Sequence, residues 1–262
     1  MPDFQFLRYS KENFIGRLTI DRPPVNALNR ALVGEIFSAA NLVNADVERR
    51  SVRVVVIQAE GKNFCAGADL KERIGVAESD VEKVVEGIRS AIEAIAEIKV
   101  PTIAAIQGTA AGGGMELALA ADIRIAADTA KMGLRETALA IIPGAGGTQR
   151  LTRLIGYSNA LLWISTARLF DAEECLRYGV VSQVVSEADL EKTVQHIAGD
   201  IIANGPLAVQ LAKAAMLGGA HLDLQQALEL EWQHYKKVIP THDRREALVA
   251  FKEKRPPVFK GE

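Results

Sequence analysis

The amino-acid sequence predicts an α/β fold, because strand-like and helix-like segments alternate along its first half. Three β-branched runs, at residues 14–21, 52–58 and 100–107, have the composition of buried strands. Helical patterns at residues 30–45 and 78–98 separate these runs, and the second carries its valines and isoleucines on one stripe. An order of strand, helix and strand is typical of an α/β core.

Beyond residue 144 the sequence favours helices. We predict helices at residues 147–155, 158–167 and 172–177, and short strands at residues 122–126 and 180–185. From residue 187 onward nearly every segment has the pattern of an amphipathic helix. Because an apolar helix face needs a surface to pack against, we divide the chain into a core, residues 1–195, and a C-terminal helical oligomerisation region, residues 196–262.

The composition is that of a globular protein and argues against several classes. Hydrophobic residues make up 48% of the chain, but no apolar run approaches the ~20 residues of a membrane span. Lys and Arg number 31 against 33 Asp and Glu, so the chain as a whole has no electrostatic attraction for nucleic acid. Two cysteines are too few for a disulfide framework, and the N-terminus lacks the apolar run of a signal peptide. We therefore expect a cytoplasmic protein.

Glycine is concentrated at a predicted strand-to-helix junction, residues 108–116, which ends in Glu116. The glycines at positions 112–114 allow the backbone to approach a ligand closely, and the following helix directs its N-terminal amides at the same loop. Since the neighbours of Glu116 are apolar, its carboxylate should be buried. Burial of an unpaired charge reduces the stability of the fold, so a buried carboxylate indicates a functional role. A flexible turn, in which Glu116 only stabilises the helix dipole, fits the spacing equally well.

Other catalytic motifs fit the sequence poorly. No Gly-Lys-Ser/Thr follows a glycine cluster, and no G-x-G-x-x-G dinucleotide motif follows a predicted strand. The four histidines all lie after residue 195 and form no H-E-x-x-H motif. Residues 156–160 approach G-x-S-x-G, but Ser158 is better interpreted as a helix N-cap. The remaining acid/base groups are carboxylic, and we predict no metal.

Residues 64–71, 112–116 and 136–149 together resemble the enoyl-CoA hydratase (crotonase) superfamily. The resemblance extends over almost the whole chain, and it is closest to the hydratase branch that includes the AU-binding methylglutaconyl-CoA hydratases. It implies a ClpP-like spiral of β-β-α units with a C-terminal helical region that builds trimers, often paired into hexamers. It also implies a homo-oligomer that acts on an acyl-CoA thioester in fatty acid metabolism and needs no cofactor beyond the CoA of its substrate.

The resemblance implies a reversible syn addition of water to a 2-enoyl-CoA, giving a 3-hydroxyacyl-CoA. The backbone amides of Ala68 and Gly113 would bind the thioester oxygen, Glu116 would act as base on water, and protonated Glu136 would donate a proton to the α-carbon. By itself, Glu136 fits an exposed loop acid. The implied contacts with substrate and CoA are Pro24, Val25, Ala66, Ala68, Asp69, Leu70, Lys71, Gly113 and Gly144, with Phe251 and Lys254 reaching the CoA of a neighbouring subunit.

Three alternatives stay open at this stage. Enzymes of this superfamily also isomerise or decarboxylate acyl-CoA thioesters, but the pair of glutamates favours hydration over those reactions. The acyl chain could be straight, branched or cyclic. RNA binding, suggested by the AU-binding relatives, is disfavoured because the corresponding segment, residues 44–53, has three arginines but also two acids and no lysine.

Overall fold

The computed structural model describes residues 4–262, and across them the chain forms two β-sheets surrounded by helices. In chain order the strands are β1 (Leu7–Glu12), β2 (Ile15–Ile20), β3 (Val54–Ala59), β4 (Thr102–Ile106), β5 (Thr109–Ala111), β6 (Ile123–Ala127), β7 (Lys131–Gly133), β8 (Phe170–Asp171) and β9 (Gln183–Val185). The larger sheet has the order β1-β2-β3-β4-β6-β9, and the smaller sheet has the order β5-β7-β8. β1 and β2 form an antiparallel hairpin, and every later pair in the larger sheet is parallel.

The helices surround these sheets and form the C-terminal part of the chain. They are α1 (Arg30–Glu48), α2 (Leu70–Ile74), α3 (Val81–Ala96), α4 (Gly113–Ala120), α5 (Gly147–Ile155), α6 (Tyr157–Thr166), α7 (Ala172–Arg177), α8 (Leu190–Ile202), α9 (Pro206–Gly219), α10 (Leu224–Val238) and α11 (His242–Glu253). A single 3-10 turn, Glu136–Leu139, follows β7.

The chain advances along the larger sheet as a spiral. After β4 it adds β5 to the smaller sheet and then forms α4; after β6 it adds β7 and continues into α5 and α6. A bridge between Cys65 and Ala110 repeats the smaller-sheet pairing one turn earlier, after β3. These β-β-α turns confirm the predicted α/β spiral.

The parallel strands are buried on both faces, which explains the continuous β-branched sequences of β3 and β4. Because side chains alternate along a strand, Val55 enters the core beneath α1 and α3, whereas Val56 enters a second core on the other face. The apolar stripe of α8 closes the second core through Leu190 and Val194. Helix α8 crosses the boundary expected between residues 195 and 196 and packs on the sheet, and the helices beyond the sheet begin with α9.

The C-terminal helices are joined to the core at two places. The Nζ of Lys213, on α9, contacts the Asp122 carboxylate at 2.6 Å and donates to the carbonyl oxygens of Ile98 (2.7 Å) and Val100 (3.0 Å). The chain end after α11 returns to the sheet, where the Arg53 guanidinium donates to the Phe259 carbonyl at 2.8 Å.

Arg53 immediately precedes β3, so the chain end packs at the edge where the parallel strands begin. The Asp243 carboxylate supports this arrangement, because it accepts the N–H groups of Lys260 (2.8 Å) and Gly261 (2.7 Å). Helix α11 is therefore anchored at the edge opposite to the loops that follow β3 and β5.

Sequence periodicity missed β1, α2 and the whole smaller sheet. The three strands of the smaller sheet are two or three residues long. A run that short contains too few residues to show a period-two pattern, so only pairing between distant segments defines it.

Taken one at a time, the helices of residues 4–262 lack the length and hydropathy of a membrane span. The segments Glu187–Ile202 and Pro206–Gly219 are long and apolar enough for a membrane span only when they are counted as one, and they meet at a bend of 102°.

Candidate active site

Two backbone amides without partners lie side by side where β3 and β5 lead into helices. Leu28 and Ala68 form a parallel bridge in which the Leu28 N–H donates to the Gly67 carbonyl (2.8 Å) and the Asp69 N–H donates to the Leu28 carbonyl (3.0 Å). This pattern directs the N–H of Ala68 away from Leu28. Neither the Ala68 N–H nor the Gly113 N–H donates to another residue between positions 4 and 262.

Gly67 brings these two amides together. Its φ is +92°, and a β-carbon there would lie 2.7 Å from the Ala111 carbonyl oxygen and 3.2 Å from the Gly113 nitrogen. Any side chain at this position would push the two loops apart, so the close approach requires glycine. Both amides line a cavity of about 360 Å³, and Gly113 also begins α4, whose positive dipole end points into it. The arrangement can bind an oxygen that acquires negative charge.

Glu116 lies in the first turns of α4 and is only 3% exposed. Its Oε1 accepts hydrogen bonds from the N–H groups of Ala145 (2.7 Å) and Gly147 (2.9 Å), which form the turn before α5. The pKa of this carboxyl is raised overall, because the effect of burial exceeds the opposing effects of the two N–H donors and the Arg150 guanidinium. The donors hold one carboxylate oxygen and orient the side chain.

Glu136 begins the 3-10 turn after β7 and lines the same cavity as the two amides. Its Oε1 is 2.9 Å from the position that a β-carbon on Gly112 would occupy, and its Oε2 is buried without a hydrogen-bond partner among the described residues. Burial, and next the negative charge of Glu116, raise the pKa of Glu136 to about 7. The negative charge of Glu116 therefore acts on Glu136, and about half of the Glu136 carboxyl groups are protonated at neutral pH.

This arrangement suits proton transfer next to a polarised carbonyl group. A carboxylate held by N–H donors can accept a proton, and a carboxyl of raised pKa can donate one. Among residues 4–262 no three His, Cys, Asp or Glu side chains cluster as metal ligands would. Cys65 is buried beside the loop, and burial raises the pKa of its thiol to about 12, so it is a poor nucleophile.

The segments expected to hold CoA are adjacent in the structure. The Ala66 N–H donates to the Val25 carbonyl at 3.0 Å, which places residues 24–25 beside residues 66–71. Ala66 and Leu70 line the cavity, whereas Lys71 is exposed and is not part of its lining.

Asp69 has a different role from the expected contact with CoA. Its carboxylate pairs with Arg22 at 2.6 Å and caps α2 by accepting the N–H groups of Lys71 (3.0 Å) and Glu72 (3.3 Å). These interactions lower the pKa of Asp69 despite its partial burial. The side chain holds the loop in place and leaves little capacity for a ligand.

Besides Asp69 and Lys71, six expected residues do not line the cavity of this chain: Pro24, Val25, Glu116, Gly144, Phe251 and Lys254. A β-carbon on Gly144 would be 3.3 Å from Val85, so this glycine lies against α3 rather than facing the amides. Phe251 is 86% exposed on α11, which is anchored at the opposite edge of the sheet. A role for Phe251 or Lys254 at the site needs a second copy of the chain.

The structure adds residues that sequence reasoning missed. They are Arg73, Arg135 and Leu169, which line the cavity, and Leu169 completes an apolar wall with Leu139 and Ile141. Arg73 and Leu70 are three positions apart on α2, so they lie on the same face of the helix. That spacing could have identified Arg73 as a neighbour of Leu70 at the site. The apolar wall comes from segments about 30 residues apart, which no local pattern connects.

Comparisons with known proteins agree with this geometry. The family model described as "Enoyl-CoA hydratase/isomerase" matches residues 10–262. The chain is 47% identical over 243 residues to human "Methylglutaconyl-CoA hydratase, mitochondrial", covering 90% of this chain and 70% of that protein. It is 40% identical to "Enoyl-CoA isomerase/hydratase fer4" of Mycosarcoma maydis, covering 93% of this chain and 92% of that protein. The crystal structure of an enoyl-CoA hydratase from Bacillus anthracis superposes with a TM-score of 0.95 at 46% identity, covering 98% of this chain and 100% of that one.

Proposed function

The chain belongs to the enoyl-CoA hydratase/isomerase family, and on this premise we propose that it hydrates a 2-enoyl-CoA thioester with Glu116 and Glu136 as its acid/base pair. It is an enzyme of the hydro-lyase type, as its relatives are. The Ala68 and Gly113 amides would bind the thioester oxygen. The CoA moiety would lie along residues 24–25 and 66–71.

In the proposed reaction Glu116 removes a proton from water while the water oxygen bonds to the β-carbon. The π electrons move toward the thioester carbonyl, and the oxygen of the resulting enolate is held by the two amides. Each such donor typically lowers the activation free energy by ~2.7–4 kcal/mol. Glu136 then transfers its proton to the α-carbon, so one water molecule has been added across the double bond. The reverse reaction uses the same groups with their protonation states exchanged.

The observation that carries this assignment is the difference between the two carboxyl groups. Two N–H groups hold Glu116 Oε1 and partly offset the rise that burial causes in its pKa. The buried Oε2 of Glu136 has no such donor among the described residues, and the pKa of Glu136 rises to about 7, which suits the acid. Hydration needs one base and one acid at the same time, and isomerisation commonly needs only one group that moves a proton.

Loss of conjugated absorbance from crotonyl-CoA measures the reaction directly. Glu116→Gln and Glu136→Gln should each lower kcat by about 10²–10⁴-fold, because each removes one acid/base group. Glu173→Gln, a change at an exposed glutamate on α7 that does not line the cavity, is the matched control and should keep the wild-type rate. Wild-type rates in both active-site variants would show that the mechanism is wrong.

A branched substrate that ends in a carboxylate is a second candidate, and two arginines favour it. Arg73 and Arg135 line the cavity that contains Glu136, and Arg73 makes no side-chain ion pair with another described residue. Arg135 Nε donates to the Ala167 carbonyl at 3.2 Å, which leaves its terminal nitrogens available. A methylglutaconyl group, named for several relatives, carries such a carboxylate.

The ratio of kcat/KM for glutaconyl-CoA and crotonyl-CoA tests this candidate. Arg73→Gln should reduce kcat/KM for glutaconyl-CoA by about tenfold or more, because a hydrogen bond to a charged group is lost. The kcat/KM for crotonyl-CoA should change by no more than about twofold. Equal losses on both substrates would exclude carboxylate recognition by Arg73.

We also propose that the chain forms a trimer, or a dimer of trimers, through α9 and α10. These helices border an apolar groove of about 680 Å³ that leaves Met216, Leu224 and Tyr235 exposed. An exposed apolar surface of this kind marks an interaction site. Light scattering after gel filtration would give the mass, and Leu224→Asp should lower it; a wild-type monomer at micromolar concentration would contradict the proposal.

RNA binding is the less favoured alternative, because the arginines of residues 44–53 are engaged elsewhere. Arg50 pairs with Glu262 at 3.1 Å, and the Arg53 guanidinium lies 4.1 Å above the Phe14 ring. Tight, salt-sensitive binding of AU-rich RNA in a gel shift would revive it. A cytoplasmic location and a role in fatty acid metabolism also stay predictions, which cell fractionation and a panel of acyl-CoA substrates would test.

A further inference from the structure

The turn that holds Glu116 is itself held by an arginine outside the predicted site. Arg150 lies on α5, four residues beyond Gly146, and its guanidinium turns back over the start of its own helix. Its Nη1 donates to the Ala145 carbonyl at 3.1 Å, and its Nη2 contacts the Glu93 carboxylate on α3 at 2.6 Å. The guanidinium thus joins the turn to α3.

Gly146 shows how closely the guanidinium packs on this turn. Its φ is +101°, and a β-carbon at this position would lie 2.1 Å from Arg150 Nη1. The guanidinium therefore fills the space that any other residue would occupy. The residues on either side, Ala145 and Gly147, are the two whose N–H groups donate to Glu116.

We propose that Arg150 is a positioning residue that fixes the turn of residues 145–147, so that both N–H groups grip the Glu116 carboxylate. The inference rests on the proposed function of Glu116 as the base in hydration. The Arg150 guanidinium is engaged by the Ala145 carbonyl and the Glu93 carboxylate, so it acts through the turn and through its charge. Glu93 holds the guanidinium in place from the opposite side.

The positive charge of Arg150 also affects the pKa of Glu116. The groups that act on Glu116 are Arg150, which lowers the pKa of Glu116, and the carboxyl group of Glu136, which is coupled to it. Removing the guanidinium should raise the pKa of Glu116, so the acidic limb of the kcat/KM profile for hydration should move to higher pH. An arginine that only stabilised the fold would leave that limb unchanged.

The first measurement is hydrogen–deuterium exchange across residues 141–149, which does not depend on hydratase activity. Arg150→Gln should accelerate exchange of the Ala145 and Gly147 amides by about tenfold or more, the effect of losing a hydrogen bond to a charged group. Arg153→Gln is the matched control, since the side chain of this arginine on the same helix donates, within residues 4–262, only to Gln149 (3.0 and 2.9 Å). Wild-type exchange in Arg150→Gln would overturn the proposal.

The second measurement is the pH profile of crotonyl-CoA hydration. Arg150→Gln should lower kcat by about 10- to 100-fold, because small displacements of a catalytic group cause losses of that size, while KM changes little. Arg150→Lys should keep part of the rate that Arg150→Gln loses. Glu93→Gln should shift the acidic limb of the kcat/KM profile in the same direction as Arg150→Gln, but by less. An unshifted limb in Arg150→Gln would refute the positioning role.

The two proposals fail in different ways. If Glu116→Gln keeps the wild-type rate, the proposed function is wrong, and the exchange experiment alone decides the structural role of Arg150. If Glu116→Gln is inactive and Arg150→Gln behaves as wild type in both measurements, the function stands and the role of Arg150 is refuted.

Discussion

Glu136→Gln should inactivate the enzyme and also stabilise it above neutral pH. In the folded protein Glu136 has a pKa of about 7 against an ordinary value of 4.5, and its buried Oε2 has no partner among the described residues. The difference of about 2.5 pH units corresponds to roughly 3 kcal/mol, which we reduce to about 2 kcal/mol because the side chain is partly exposed. This is the free energy by which ionised Glu136 destabilises the fold.

The pH dependence follows from the direction of the shift. Below about pH 4.5 the carboxyl is protonated in both folded and unfolded chains, so the destabilisation is absent. It grows as the pH rises, because only the unfolded chain ionises freely, and is complete above about pH 7. Glutamine stays neutral at every pH, so the advantage of the variant should appear only on the alkaline side.

Thermal unfolding of wild type and Glu136→Gln at pH 5 and pH 8 tests this reasoning at equal protein concentration. The stability gained by the variant should be larger at pH 8 than at pH 5 by about 1.5 kcal/mol, since about a quarter of the effect is already present at pH 5; this corresponds to a Tm difference of about 4 °C. Any constant effect of the new amide cancels in this comparison. An equal difference at both pH values would refute the assignment of a raised pKa to Glu136.

Three further predictions concern the surrounding structure. Glu116→Gln should lower the pKa of Glu136, because it removes a like charge; carbon-13 NMR titration measures this, and an unchanged pKa would contradict the coupling. Gly67→Ala should lower kcat for crotonyl-CoA by about 10²–10³-fold by displacing one amide donor, and a wild-type rate would show that the amides are not used. Lys213→Met should reduce the free energy of unfolding by about 2 kcal/mol in urea titration, since it breaks the partly buried pair with Asp122; an unchanged midpoint would remove its role as an anchor.

Local sequence determined the main strands, the first helices and the segments that carry the site. The β-branched runs predicted β2, β3 and β4 to within two residues, because burial on both faces selects the same residue types along the whole strand. Glycines at positions 112–114 and the apolar neighbours of Glu116 predicted a buried carboxylate at the start of a helix, which the structure contains. These features depend on neighbours along the chain, and so the sequence alone reveals them.

Tertiary structure decided what the two glutamates can do. Their pKa values depend on burial and on charges that other segments bring close, such as the N–H donors of Ala145 and Gly147, about 30 residues beyond Glu116. The same holds for α8, whose apolar stripe predicted packing but not which surface it covers. Hydrogen bonds and electrostatic coupling act over a few ångströms in space whatever the separation along the chain, so only the folded arrangement distinguishes a base from an acid.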